Sequence, residues 1–218
     1  MPIIFRAVSL IALAFAGTAN AAAPAVPSKL KVTVEGIGHN KPIPAKYALC
    51  KATDDGKSDK GENFRPALNW SGAPKDTKSF VVTMFDPDVP ADFTNAGKDG
   101  VTIAPDAKRQ VFYHWSLADI PKKFNALPGG DREITIAMPA ANDLKGYADV
   151  HEYGGPCPPW NDERLHHYHF EVRALDVKSL RLPENATAKQ VRAAAMKHTL
   201  AKGEVVGTYT LYNPHAGQ

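Results

Sequence analysis

The sequence has little cysteine, no run of like charges and, after its first 21 residues, no long apolar stretch. The near balance of 26 Lys and Arg against 23 Asp and Glu argues against a nucleic-acid-binding protein, which usually carries a basic stripe. The missing apolar stretch argues against a membrane-spanning helix in that part of the chain. What remains, with 44% hydrophobic residues, is typical of a globular protein large enough for one domain with a core.

The N-terminus has the three parts of a secretory signal peptide. Arg6 supplies a positive charge, residues 7–16 are almost entirely apolar, and Ala19-Asn20-Ala21 has the small-x-small form of a cleavage site. The apolar run is too short to span a bilayer. The predicted segments are a signal peptide at 1–21, a short linker at 22–28 and a single domain at 29–218. We therefore expect an exported bacterial protein, periplasmic or secreted.

The two cysteines are Cys50 and Cys157. In an exported protein an even number favours one disulfide. The alternative is a pair of separate buried thiols, since free cysteine packs as a small hydrophobic residue. A disulfide would close a long loop and stabilise the fold by about 4–5 kcal/mol in the chain-entropy account.

Several segments have the patterns of β-strands, either alternating apolar and polar residues or running apolar throughout. They are residues 29–35, 79–85, 111–120, 133–138, 167–174 and 205–212. The connections between them are rich in the 18 prolines and 16 glycines. Many strands joined in this way favour a mainly β protein, a sandwich or a barrel, over a parallel α/β sheet.

One helix is predicted near the C-terminus. Thr187 and Gln190 have the spacing of a capping box, and alanine-rich sequence continues to Lys202. Gly203 then offers a C-terminal cap. We expect this helix, residues 188–202, to pack against a sheet.

Two motifs at strand positions carry polar chemistry. Asp86-Pro87-Asp88-Val89-Pro90 predicts a stiff loop after the strand that ends at Phe85, with both carboxylates held in fixed directions. A simple surface turn is the alternative. His114 lies in an apolar strand, so it is expected to be at least partly buried and to need a hydrogen-bond partner, or to be an ordinary core histidine bonded to backbone.

A third motif combines a glycine–proline segment with histidines. The Gly-Gly step at the start of residues 154–159 would let backbone N–H groups approach an anion. In the following strand His166 and Tyr168 share one face, whereas His167 and His169 lie on the other. That alternation makes metal binding by the histidine cluster unfavourable.

In combination these motifs resemble the phosphatidylethanolamine-binding protein family, and more narrowly its bacterial and archaeal Raf-kinase-inhibitor-like subgroup. Residues 66–74, PALNWSGAP, and residues 206–209, VGTY, extend the resemblance, which covers about residues 29–213. The resemblance implies a β-sandwich with a few peripheral helices. It also implies one cavity that binds phosphate, acetate or phosphoethanolamine-like groups. It does not imply catalysis, and we expect no cofactor or metal.

The resemblance also assigns the ligand-binding residues. The cavity lining would include Asp86, His114, His166 and Tyr168. Asp88 and Pro90 would shape the first loop, and the opposite wall would come from Gly155, Cys157, Pro158 and Pro159. A carboxylate lies badly beside a bare dianion, so we expect Asp86 either to orient a histidine or to meet an ammonium or hydroxyl group of the ligand.

The sequence departs from the family pattern in three places. About twenty extra residues, 91–110, precede the strand of His114 and are expected to border the cavity mouth. His167 replaces the commoner arginine, with little expected effect inside the cavity. Residues 160–165 are bulkier than the usual glycine-rich loop and would narrow the entrance.

Three functions are considered. The favoured one is binding of a small anionic ligand. The alternative is a protein-interaction module that inhibits a protease or another enzyme, with an unidentified protein partner. A hydrolase, metal-dependent through Asp86, His114 and His166, is less favoured because no serine or cysteine lies in a recognisable nucleophile motif. The sequence leaves open whether the protein is a monomer or a homodimer.

Overall fold

The computed structural model describes residues 28–145 and 148–214. The predicted signal peptide, and the predicted linker apart from Ser28, lie outside the described residues. Within those ranges no helix is long and apolar enough to cross a membrane.

The described part of the chain is mostly β-structure. Its strands are β1 (Ser28–Lys29), β2 (Lys31–Val34), β3 (Lys41–Pro42), β4 (Cys50–Ala52), β5 (Ser58–Lys60), β6 (Leu68–Ser71), β7 (Ser79–Pro90), β8 (Arg109–Pro121), β9 (Ala126–Leu127), β10 (Met138–Pro139), β11 (His166–Leu175) and β12 (Thr199–Tyr209). A 3₁₀ turn covers Ala45–Tyr47, and the helix α1 covers Ala188–Lys197.

Two sheets pack face to face and confirm the predicted sandwich. The larger has the order β1-β12-β11-β7-β8-β10, with β3 beside β12, and the smaller has the order β2-β6-β9. Buried side chains of both sheets form one core, among them Leu68 and Trp70 from the small sheet and Trp115 and Phe170 from the large one. The long antiparallel strands β7, β8 and β11 lie at the centre of the larger sheet.

The helix α1 covers the outer face of the larger sheet, where Val191 and Ala195 pack with Val81 and Leu175. The predicted capping box of Thr187 and Gln190 is confirmed. The predicted C-terminal end is wrong, since the helix stops at Lys197 and the chain enters β12 at Thr199.

Gly203 therefore lies inside a strand and caps no helix. Its backbone passes so close to the segment that contains Leu30 that an added Cβ would lie 2.3 Å from the Leu30 carbonyl oxygen. The glycine is explained by this close approach.

Two further predictions about strands need correction. Residues 86–90 were expected to form a loop, but β7 continues through them to Pro90, and its register shifts between Asp86 and Val89. Such an irregularity admits proline because it interrupts the regular ladder of hydrogen bonds. The strand predicted at 133–138 is reduced to Met138–Pro139, with Ile134 and Ile136 packed on the core outside any ladder.

Cys50 and Cys157 form the expected disulfide, and the alternative of separate thiols is wrong. The two segments run side by side, because the backbone N–H groups of Leu49 and Cys50 both donate to the carbonyl oxygen of Pro156. The bond thereby attaches the hairpin of β4 and β5 to the residues that precede β11.

Candidate functional site

A cavity of about 400 Å³ lies where the C-terminal end of β7 meets the N-terminal ends of β8 and β11. Each of these strands contributes polar side chains to it. We call them the floor: Asp86 from β7, His114 from β8, and His166 and Tyr168 from β11. All four are at most 4% exposed, and the structure brings together the four residues that the sequence placed at the centre of the site.

His166 lies between two carboxylates. Its Nδ1 is 2.6 Å from Oδ2 of Asp86, and its Nε2 is 3.1 Å from Oδ2 of Asp162. Burial alone would lower the pKa of this histidine, but the hydrogen bonds to Asp162 and Asp86 outweigh burial and raise its pKa to about 9. The side chain is therefore an imidazolium at neutral pH and donates from both ring nitrogens.

Asp162 has a second cationic partner in Arg109. The guanidinium approaches both carboxylate oxygens, and Asp162 is fully buried. Burial opposes ionisation of this carboxyl, yet the hydrogen bonds from His166 and Arg109 hold its pKa below the usual range. Sequence reasoning missed both residues. No local pattern distinguishes them, since Asp162 lies in a segment without strand or helix periodicity and Arg109 is one of many charged residues in the chain.

Asp86 positions the histidine, which is the first of the two roles expected for it. Its Oδ1 accepts a hydrogen bond from the backbone N–H of Asp88, while Oδ2 faces His166. Burial, together with the nearby charge of Asp86, raises the pKa of the Tyr168 hydroxyl well above its ordinary value. The hydroxyl therefore stays protonated.

His114 is bonded on one side only. Its Nδ1 lies 3.0 Å from the carbonyl oxygen of Gly154, so Nδ1 carries the hydrogen. Burial lowers the pKa of His114, which keeps the ring neutral. Its Nε2 is buried and has no hydrogen-bond partner among the residues that the structure describes.

The walls of the cavity are largely apolar. They include Leu49, Val89, Phe112, Leu144, Pro158 and Pro159. Cys157, which is disulfide-bonded to Cys50, also lines the cavity. Phe93, Ala96 and Gly97 of the insertion also line the cavity, together with Trp160. The expectation that the insertion borders the mouth is confirmed.

One buried side chain holds the insertion in place. The Asn161 amide nitrogen donates to the carbonyl oxygens of Asn95 and Val101, each at 2.8 Å, and its amide oxygen accepts from the N–H of Gly97 at 2.9 Å. Asn161 is 2% exposed. It is a third residue, after Asp162 and Arg109, that the sequence did not reveal.

Three of the assigned residues do not line the cavity. Asp88 lies behind the floor, where its carboxylate receives Nε of Arg164 at 2.6 Å and the backbone N–H of His167 at 3.0 Å. The carbonyl oxygen of Pro90 accepts from Gln110. Gly155 instead packs against backbone, and an added Cβ would lie 2.0 Å from the carbonyl oxygen of Tyr47.

The expected role of the Gly-Gly step is also corrected. The N–H of Gly154 donates to the carbonyl oxygen of His114, and the N–H of Gly155 donates to Oδ1 of Asn63. Neither group is left for an anion. These glycines bring two segments of backbone together beside the cavity.

The hydrogen bonds of His166 also bear on metal binding. Both ring nitrogens of His166 donate to carboxylates and present no lone pair to an ion. Within residues 28–145 and 148–214, no group of three or more His, Cys, Asp or Glu side chains is arranged to hold a metal.

Comparison with known proteins decides the family. The family model for phosphatidylethanolamine-binding protein matches residues 34–210. The chain belongs to this family. Its curated relatives are bacterial and archaeal: the UPF0098 protein YbcL of Escherichia coli is 33% identical over 157 residues, covering 69% of this chain and 74% of the relative. The UPF0098 protein PH1269 of Pyrococcus horikoshii is 30% identical over 184 residues, covering 83% and 77%.

Solved structures give the same result. The crystal structure of Escherichia coli YbcL, described as a new member of the mammalian PEBP family, superposes with a TM-score of 0.66 at 26% identity. It covers 84% of this chain and 99% of that one. A putative PEBP homologue from Chlamydia trachomatis superposes with a TM-score of 0.61 at 28% identity, covering 84% and 97%. The protein is thus a family member of the bacterial and archaeal type.

Proposed function

We propose that this family member is an exported binding protein for a small ligand with a phosphate-like or carboxylate head group, seated beside His114 on the floor. The family name points to phosphoethanolamine-like head groups. Several features of the chain support the proposal independently of that name.

The observation that carries the proposal is the buried Nε2 of His114. A buried polar atom without a partner costs about 1–3 kcal/mol, so native proteins rarely leave one without a reason. His114 is 4% exposed and belongs to the cavity lining. A ligand that forms a hydrogen bond to Nε2 would remove this cost, and the gain would appear as affinity.

The shape and chemistry of the cavity support a small ligand with one polar end. A volume of about 400 Å³ falls within the range of small-molecule sites. Most of its polar side chains belong to the floor, with Ser58 and Asp143 in addition, while Phe93, Phe112 and Trp160 supply aromatic surface. A polar head on the floor with an apolar substituent against these rings matches that division. No catalytic step is assigned to it.

Two observations support export. The N-terminal 21 residues have the pattern of a signal peptide, and Cys50 is bonded to Cys157. Disulfides persist mainly in oxidising compartments. We therefore propose that the protein acts in the periplasm or outside the cell.

Isothermal calorimetry with inorganic phosphate, phosphoethanolamine and acetate tests the proposal. We expect at least one of them to bind, and the affinity to fall tenfold or more in His114→Ala, which corresponds to about 1.4 kcal/mol. His151→Ala is the matched control, because His151 is half-exposed and does not line this cavity. An absence of binding heat with all three compounds would refute the proposal.

A further inference from the structure

We propose that the ligand group at His114 must itself carry a proton, so that the cavity selects a protonated oxyacid, such as a phosphate with a P–OH group, over an anion of the same shape that has none. This inference rests on the proposed function and specifies its ligand class.

The first step is the state of His114. The carbonyl oxygen of Gly154 can only accept, so Nδ1 must be the donor in their 3.0 Å hydrogen bond. In a neutral imidazole the other nitrogen then bears a lone pair and no hydrogen. The buried Nε2 is therefore an acceptor, and only a group that brings its own hydrogen can bond to it.

The second step concerns the N–H donors of His166 and of the Gly-Gly step, which are already engaged. Both N–H groups of His166 face carboxylates. The N–H groups of Gly154 and Gly155 donate to protein oxygens. The floor thus receives hydrogens from a ligand more readily than it offers them.

The third step concerns protonation of His114, which its surroundings oppose. The charged groups around it come from three elements: Asp86 on β7, His166 on β11, and Asp143 in the segment after β10. The two carboxylates favour the imidazolium, but burial and the positive charge of His166 oppose it, and the ring stays neutral. A bare anion would have to bind together with a proton on His114, which becomes favourable only as the pH falls.

Phosphate and sulfate test this selection directly. At pH 8 both are tetrahedral and chiefly dianionic, and only phosphate still carries a hydrogen. We expect wild-type protein to bind inorganic phosphate about ten- to a hundredfold more tightly than inorganic sulfate, because only phosphate can form the buried hydrogen bond to Nε2 of His114. The sulfate affinity should rise as the pH is lowered towards 5.5, because His114 then supplies the proton.

Two further measurements sharpen the result. In His114→Phe, which keeps a ring but removes the acceptor, the phosphate-to-sulfate ratio should fall to within about threefold of unity, whereas His151→Phe should retain the wild-type ratio. Calorimetry of the wild type at pH 8, in two buffers of different ionisation enthalpy, needs no variant. It should show no net proton uptake with phosphate.

The outcomes separate this inference from the proposed function. Equal affinities for phosphate and sulfate at pH 8 would overturn the selection and leave anion binding intact, as would uptake of about one proton with phosphate that disappears in His114→Phe. Failure of either anion and of the other test compounds to bind would overturn both.

Discussion

The guanidinium of Arg109 forms two hydrogen bonds to the carboxylate of Asp162, with N–O distances of 2.6 and 3.1 Å. Arg109 lies at the end of the insertion, and Asp162 is one of the two carboxylates that hold His166. The contact therefore joins the insertion to the floor of the cavity in one hydrogen-bonded network.

Replacing Arg109 by methionine should destabilise the fold by about 3–5 kcal/mol, because it leaves the buried Asp162 carboxylate with one cationic partner fewer. Arg109→Lys should cost less, since it keeps the charge but loses the paired donors. Urea unfolding at pH 7 measures both changes. Equal stability of Arg109→Met and wild type would show that the pair contributes nothing net.

Stability should decrease at alkaline pH through His166. Its pKa is about 9 in the folded protein and near 6.5 when unfolded, so its stabilising contribution is complete below about pH 6.5 and is lost as the pH rises through 9. The loss should be about 3 kcal/mol in unfolding free energy between pH 6.5 and pH 10. His166→Asn, although less stable throughout, should lack this histidine-dependent slope. An unchanged slope in that variant would contradict the assignment.

Asn161→Ala should release the insertion. The change removes three short hydrogen bonds to backbone, those with Asn95, Gly97 and Val101, and should cost about 2–3 kcal/mol in unfolding free energy. Hydrogen exchange at the Gly97 amide should accelerate strongly. The matched control is Asn95→Ala, which alters an exposed side chain but keeps the carbonyl oxygen that Asn161 contacts. Similar protection in the two variants would contradict this role.

Removing the disulfide with the double change Cys50→Ser and Cys157→Ser should lower the unfolding free energy by about 4–5 kcal/mol, because the bond joins residues 107 apart in sequence. Urea unfolding of the variant and of the wild type, without reductant, measures this loss. Adding reductant should bring the wild type to the stability of the variant and leave the variant unaffected.

Local strand patterns in the sequence predicted a mainly β sandwich or barrel, and the resemblance to the family assigned the four floor residues. Period-two alternation places His166 and Tyr168 on one face of a strand, and the capping box locates the start of α1. Where strand pairing determines the secondary structure, the local sequence pattern was insufficient. Alanine-rich sequence favoured a helix through Lys202, yet pairing with β11 draws Thr199 and the residues after it into β12.

The partners of the floor were beyond sequence reasoning for the same reason. Asp162 and Asn161 lie in a segment without strand or helix periodicity, and nothing local distinguishes a buried carboxylate from an exposed one. Likewise, the glycines at 154 and 155 predicted backbone N–H groups free for a ligand, but their actual acceptors, such as Asn63, come from a distant part of the chain. The acceptor of each of these N–H groups is therefore determined by the tertiary structure.

The floor has a consequence for the order of folding. Asp86 and His166 are 80 residues apart in sequence, yet they share a 2.6 Å hydrogen bond through the pairing of β7 with β11. Contacts between such distant residues form slowly, because a long loop must close before they gain anything. An intermediate that contains β7 and β8 but lacks β11 has no complete floor. Ligand recognition should therefore appear late during refolding and mark the molecules that have completed the larger sheet.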